Sequence, residues 1–306
     1  MIMNDFEITK QNGNIAFEEK AHRYWDVTDP SKKFTSVTTI IEKFGQPFDK
    51  EFWSAYKALE KLLSADAWKI EKPSLLKSKK FDKSLLELHD ISENDFNREQ
   101  QAILDSWDEE NRKSCERGTK IHADFENSFY KKKKNIDISK FQIGGEFECR
   151  KDYTDLDLEN AVYPEYLIHR ITPDGKLCIA GQIDLLVKKG NNIIVCDFKT
   201  NKEIKMKSFF DSKTKSSVKM KFPLNNLDDV NYWHYCLQLS TYAWMLQKLN
   251  PDFVIEDLVM IHIDHKDKMT IYHLPYLKTE VEKMLAFYKK QIQLDESARK
   301  RKRIEY

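Results

Sequence analysis

Two aspartates and a lysine carry the chemistry most legible in this sequence. Gly181-Gln182-Ile183-Asp184-Leu185-Leu186-Val187 is followed, across Gly190-Asn191-Asn192, by Ile193-Ile194-Val195-Cys196-Asp197-Phe198-Lys199. Apolar runs on either side of a turn signal predict a hairpin. A reversal between Gly190 and Asn191 sets Asp184 directly opposite Asp197, and Leu186 opposite Val195. Side chains alternate along a strand and opposed residues share a face, so Asp184, Asp197 and Lys199 are expected together. The other face carries Ile183, Leu185, Val187, Ile194, Cys196 and Phe198. With both faces mostly apolar, the pair is expected in a covered, central sheet. Two carboxylates and a lysine are costly there unless compensated. A divalent cation compensates them, because two carboxylates are a common protein share of a Mg²⁺ site, with water and a substrate phosphate completing the shell. The ion lowers the pKa of a bound water and polarises a phosphoryl oxygen. The lysine can orient that water or offset charge on phosphorus. Taken alone, Asp197 and Lys199 also fit a buried ion pair beside an unrelated Asp184.

Other residues extend the set. His122 and Glu126 are four apart on a predicted helix and so stack on one side. Ile121, Phe125 and Phe129 form the neighbouring apolar stripe. Imidazole suits Mn²⁺ and tolerates a Mg²⁺ site; a histidine beside such a stripe also fits a satisfied core residue. Gln238 and Tyr242 lie one turn apart on a helix that is apolar on most sides. Lys202, Lys205, Lys207, Lys213, Lys215, Lys219 and Lys221 follow the aspartate–lysine strand directly, placed to track a phosphate backbone, although such a run also fits a solvated face.

The elements that must position these residues follow from patterning. Residues 6–8 and 15–17 read as strands about Asn12-Gly13-Asn14, and residues 22–25 and 34–37 about Asp29-Pro30-Ser31. From about 38 to 130 the pattern is helical, punctuated by Pro47 and Pro73, with a long exposed acidic helix over 93–116. Strands are expected at 163–171, 177–187 and 193–199, a loop or mobile lysine-rich insertion at 202–230, a buried helix at 233–249, strands at 258–264 and 270–274, and a last helix from Leu277 on. This order predicts an α/β sandwich with a mixed central sheet flanked by helices. An N-terminal hairpin and helical region is expected over 1–115 and the core over 116–306, within one continuous domain.

Composition narrows the classes. A third of the residues are charged, the net charge is +1, and no stretch approaches the length of a bilayer span. The first residues have neither a basic nor an apolar signal region, so a reducing, cytoplasmic setting is expected. Cys115, Cys149, Cys178, Cys196 and Cys236 are scattered, a poor framework for disulfides or zinc.

The segment Gly181-Gln182-Ile183-Asp184 with Asp197-Phe198-Lys199-Thr200 resembles the G-x-I/V-D…D-x-K-T core of RecB-like PD-(D/E)XK nucleases, the restriction-endonuclease-like fold. Gly118-Thr119-Lys120-Ile121-His122 through Glu126 resembles that family's G-T-x-x-H-x-x-x-E helix, and Gln238-Leu239-Ser240-Thr241-Tyr242 its Q-L-x-x-Y helix. Glu165 sits where the family carries a glutamate on its first core strand. His22-Arg23-Tyr24 and Ser36-Val37-Thr38-Thr39-Ile40-Ile41 are similar to the opening of phage nucleases and mitochondrial genome maintenance exonucleases. The likeness spans five blocks in matching order and is weakest across 45–115 and 202–230.

The resemblance implies hydrolysis of DNA with Mg²⁺ or Mn²⁺. His122, Asp184 and Asp197 would be ligands, Lys199 the water-orienting or charge-stabilising group, and Glu165 an auxiliary carboxylate. Gln238 and Tyr242 would support the site and contact DNA. Some relatives hold an iron–sulfur cluster through one cysteine before the histidine helix and three near the C-terminus. Cys115 stands in the first place but nothing follows Cys236, so no cluster is expected. An exonuclease on single-stranded or frayed ends is favoured, in replication, recombination or repair; a phage origin and a single-strand-binding or recombination protein as partner are further expectations. Trp53, Tyr56 and Trp68 would stack on bases or simply form core. A structure-selective or site-specific endonuclease, or a non-catalytic DNA-binding protein on the same scaffold, are the alternatives.

Overall fold

The apolar runs between residues 161 and 199 form the middle of a mixed sheet; the hairpin expected across Gly190 and Asn191 forms, but its ladder ends before the expected Asp184–Asp197 pair. The structure, a computed structural model, describes residues 10–18, 21, 23–132, 134–151, 158–211 and 216–304. Its strands are β1 (Lys10–Asn12), β2 (Ile15–Glu18), β3 (Arg23–Asp26), β4 (Thr35–Ser36), β5 (Ile136–Asp137), β6 (Glu146–Phe147), β7 (Ala161–Ile171), β8 (Cys178–Lys189), β9 (Asn192–Lys199), β10 (Phe210–Asp211), β11 (Ser216–Ser217), β12 (Val254–Ile263) and β13 (Met269–His273). Its helices are α1 (Val37–Glu42), α2 (Lys50–Leu62), α3 (Ala65–Ser78), α4 (Ser84–Leu88), α5 (Glu93–Lys132), α6 (Asn231–Leu249) and α7 (Lys278–Ile304). None is long and apolar enough to cross a membrane, among the described residues.

Two units form, Met1–Gln46 with Lys120–Tyr306, and Pro47–Thr119. The boundary expected at 115–116 falls inside α5, which runs unbroken through Gly118 and contributes its two ends to different units. Residues before Gln46 belong with the sheet because β4 pairs with β8 and the β1–β3 hairpins pack on β7 and β8 through Ile15, Phe17, Tyr24, Leu167 and Ala180.

The helical unit is capped and cored conventionally. Asp49 and Ser64 accept hydrogen bonds from Phe52 N and Ala67 N at the starts of α2 and α3. Pro73 does not end a helix but lies inside α3. Trp53, Tyr56 and Trp68 pack on one another, with Tyr56 and Trp68 ring centres 4.7 Å apart, in a core with Phe52, Leu59 and Leu75.

In the larger unit the sheet order is β13-β12-β9-β8-β4, with β7 also on β8. β7 takes one edge of β8 along its whole length, and the other edge is shared. Leu185–Lys189 pair antiparallel with β9, whereas Ile179 and Ala180 pair parallel with β4. The register sets Leu186 against Val195 as expected, and the ladder stops at Leu185 and Cys196. β8 and β9 therefore fork at Asp184 and Asp197. One face of the sheet packs on α1, α6 and α7, the other on the last turns of α5 through Ile121, Phe125 and Phe129. This is an α/β architecture with a mixed central sheet flanked by helices.

Three local expectations need correction. Ile183 does not share a face with Leu185 and Val187; it packs in the same cluster as Leu186 and Val195. The alternation changes phase on β7 and β8 together at Glu165 and Asp184, which lie opposite one another, and Glu165 takes a left-handed φ of 53°. The segment 202–230 is not simply a loop: it carries the β10–β11 hairpin, and Met220, Leu224 and Leu227 plug into the main core. The strand expected at 34–37 shrinks to β4, because Ser36 caps α1 by accepting from Thr39 N. The strand expected at 6–8, His22, Lys213 and Lys215 lie outside the described residues.

Candidate metal centre

The fork explains why polar side chains gather at the middle of an apolar sheet. Where the β8–β9 ladder stops, Asp184 Oδ2 accepts a hydrogen bond from Phe198 N at 2.6 Å, so a side chain does what the next backbone pair would have done. Asp184 is buried, and the opposed Glu165 is nearly so. From the α5 side His122 brings Nδ1 to 3.5 Å from Asp184 Oδ1 and 3.9 Å from Glu165 Oε1. Its Nε2 lies 3.1 Å from the carbonyl oxygen of Phe198. A neutral imidazole that donates from Nε2 leaves the Nδ1 lone pair facing the carboxylates. His122, Glu165 and Asp184 each offer a ligand atom, and these lie within 4.8 Å of one another.

Asp197, expected as a ligand, is engaged on its other side. Lys199 Nζ lies 2.5 Å from its Oδ2, and Gln238 Nε2 donates to its Oδ1 at 3.1 Å. Gln238 also donates to the Tyr242 hydroxyl at 3.3 Å, which links α6 to the aspartate. Tyr242 lies on Gly181 so closely that a Cβ there would stand 2.4 Å from its Cε1, which gives the glycine of the Gly181-Gln182-Ile183-Asp184 segment a packing reason. Glu165, expected as auxiliary, falls in the ligand group instead.

The electrostatics match a site short of positive charge. Burial raises the Glu165 carboxyl and Asp184 adds to it, bringing it to about 7. Burial likewise raises Asp197, to about 6, against the pull of Lys199. Burial opposes a charged His122, but Asp184, Asp197 and Glu165 outweigh it and lift the imidazole to about 9. Asp184 is held below its ordinary range: burial works upward, and His122, Lys199 and the Phe198 amide overcome it. Lys199 is pushed up despite burial, chiefly by Asp197 and then Asp184.

Several participants escaped the sequence reading. The Tyr235 ring lies 4.8 Å from Lys199 Nζ, and its hydroxyl donates to Asn201 Oδ1 at 2.5 Å. His262, paired in register with Lys199 and buried, stands 2.7 Å from the Asn201 carbonyl oxygen. Tyr235, three residues before Gln238 on one helix, and Tyr24, in the His22-Arg23-Tyr24 block, left a sequence signal. Lys10 contacts Glu165, and Tyr24 is buried close enough to Glu165 and Asp184 that its hydroxyl is raised, by burial first and then by both carboxylates.

The lysines after β9 are largely on the surface. Lys205 pairs with Glu203 and Lys219 with Asp228, while Lys221 donates to the Lys43 carbonyl oxygen. Lys202 and Lys207 are exposed.

No protein-family model and no curated protein matches the chain. A solved structure, that of SSO0001, is similar over 43% of this chain at 20% identity, with a TM-score of 0.26. The match covers 50% of that protein, so the chain spans about half its length.

Proposed function

We propose that this chain is a divalent-metal-dependent DNA nuclease built on a PD-(D/E)XK core, acting on single-stranded or frayed ends. The observation that carries the reading is the gathering of His122, Glu165 and Asp184 donor atoms within 4.8 Å at the fork where Asp197 holds Lys199. Two carboxylates and one imidazole nitrogen suit Mn²⁺ and are compatible with Mg²⁺. Bound there, the ion would supply Lewis acidity toward a phosphoryl oxygen and an acidified water. The chain's own residues do the rest. His122 is steered by the Phe198 carbonyl and would hold the ion through Nδ1 in its neutral form. Gln238 orients Asp197, and Asp197 with the Tyr235 ring fixes the Lys199 ammonium beside the carboxylates, where it offsets charge gathered on phosphate. Exposed Lys202, Lys205 and Lys207 leave β9 in line to meet a phosphate backbone.

The test compares linear with covalently closed circular single-stranded DNA under Mg²⁺ or Mn²⁺. Degradation of the linear form alone, abolished by EDTA and reduced by orders of magnitude in Asp184→Ala, Asp197→Ala and Lys199→Ala, is expected. Wild-type cleavage by Asp184→Ala or Asp197→Ala would overturn the assignment. Equal loss of both substrates would favour an endonuclease.

A further inference from the structure

Lys10 occupies a place in this centre that its position in the sequence does not announce. β1 docks on β7 because buried Asn12 donates to the Leu167 carbonyl oxygen at 2.7 Å. Two residues back along both strands, Lys10 meets Glu165, so the alternation that seats Asn12 also aims Lys10 at the carboxylate. Its Nζ lies 3.3 Å from Glu165 Oε2 and 3.2 Å from Oε1 of Glu126, one helical turn beyond His122 on α5. All three side chains are at most a quarter exposed.

Glu165 thus divides its oxygens. Oε1 faces His122 Nδ1, and Oε2 takes the Lys10 ammonium and the Gln182 amide. A carboxylate with one oxygen toward a metal position and the other turned to a second cation is the usual bridge of a centre in which two ions stand about 3.5–4 Å apart. Glu126 completes that second position, since it supplies the other oxygen facing the ammonium. The cation already there belongs to the protein.

We propose that Lys10 is a built-in counter-ion: its ammonium fills the second cation position between Glu126 and Glu165 and holds the centre to one divalent ion per chain. This rests on reading His122, Glu165 and Asp184 as a metal centre. A tethered ammonium satisfies both carboxylates without metal, and a second divalent ion would have to displace it against its own charge. Removing that charge leaves two poorly solvated carboxylates facing one another, an arrangement that takes up a cation.

The experiment counts Mn²⁺ bound per full-length chain by calorimetry and records its electron paramagnetic resonance. Wild type is expected to bind one ion with the spectrum of an isolated spin. Lys10→Met should bind two, with a spin-coupled spectrum, and Lys10→Gln should behave alike if the methionine variant folds poorly. Lys10→Arg should return to one, and so should Lys10→Met combined with Glu126→Gln. One ion in both Lys10→Met and Lys10→Gln, or two in wild type, would overturn the role of Lys10 and leave the centre standing. A wild-type chain that binds none overturns the centre itself.

Discussion

His122 Nε2 lies 3.1 Å from the carbonyl oxygen of Phe198, the residue between Asp197 and Lys199. That contact ties α5 to the fork and decides which imidazole nitrogen faces the carboxylates. His122→Ala is therefore expected to weaken Mn²⁺ affinity roughly 10–100-fold. Thermal unfolding of the metal-free variant should stay close to wild type above about pH 9, where the wild-type imidazole no longer contributes its charge to folding. Calorimetric titration checks both, and unchanged affinity or a collapsed fold would return His122 to a packing role.

The same site sets a pH dependence. His122 rises from 6.5 to about 9 on folding, Glu165 from 4.5 to about 7 and Asp197 from 3.8 to about 6. All three hold protons more tightly folded than unfolded. The His122 contribution is fully present below 6.5 and is lost as pH rises through about 9. The two carboxyls run in the same direction at lower pH, and Asp184, whose carboxyl is lowered, runs the other way and matters only in acid. Metal-free protein should lose melting temperature between about pH 6 and pH 9, and saturating Mn²⁺ should raise it more at the upper end. Melting curves across pH, with and without Mn²⁺, decide this; a metal shift that shrinks as pH rises would contradict it.

Gly181→Ala puts a methyl 2.4 Å from Tyr242 Cε1. Backbone and ring must part, at a cost of about 1–3 kcal/mol, and the Tyr242–Gln238–Asp197 chain loosens with them. Urea unfolding should show the loss, and in a Tyr242→Leu background the same substitution should cost less. Additive effects would mean that the two residues do not press on one another.

Neutralising Lys202, Lys205 and Lys207 together should weaken DNA binding evenly across sequences and flatten its salt dependence by about one unit of slope per lost phosphate contact. Lys219→Ala and Lys221→Ala are expected to move stability more than the slope, because Lys219 is held by the largely buried Asp228 and Lys221 by the Lys43 carbonyl, whereas the Lys205–Glu203 pair is exposed on both sides. Binding measured from low to moderate salt separates the two groups, and an identical slope in all variants would remove these lysines from the DNA path.

The strands from 161 to 199, their turn and the Leu186–Val195 register were legible because long apolar runs bounded by turn residues leave few pairings open. The change of phase at Glu165 was not, since nothing in a glutamate announces a left-handed backbone and the usual marker, glycine, is absent. That one residue decides which carboxylates meet. A reading by strict alternation joins Asp184 to Asp197 alone, whereas the buckled strand pair also brings Glu165 to Asp184, and Asp197, still within electrostatic reach of Asp184, is held by Lys199 and Gln238. The anchoring of 202–230 escaped for another reason: buried Met220, Leu224 and Leu227 lie in a lysine-rich run beside exposed apolar residues such as Val218 and Phe222, so the pattern does not mark which of them face the core. Lys10 is visible only once β1 has docked.

Glu165 is a residue that selection for ruggedness alone would discard. Its backbone angle costs a side-chain-bearing residue about 1 kcal/mol, and its carboxylate crowds that of Asp184. Glycine, reached from either glutamate codon by one base change, relieves both at once. A library passaged for heat resistance without any demand for metal or DNA should therefore enrich Glu165→Gly, and one passaged for cleavage should purge it. The position works as a molecular witness to which of the two demands a lineage has lived under.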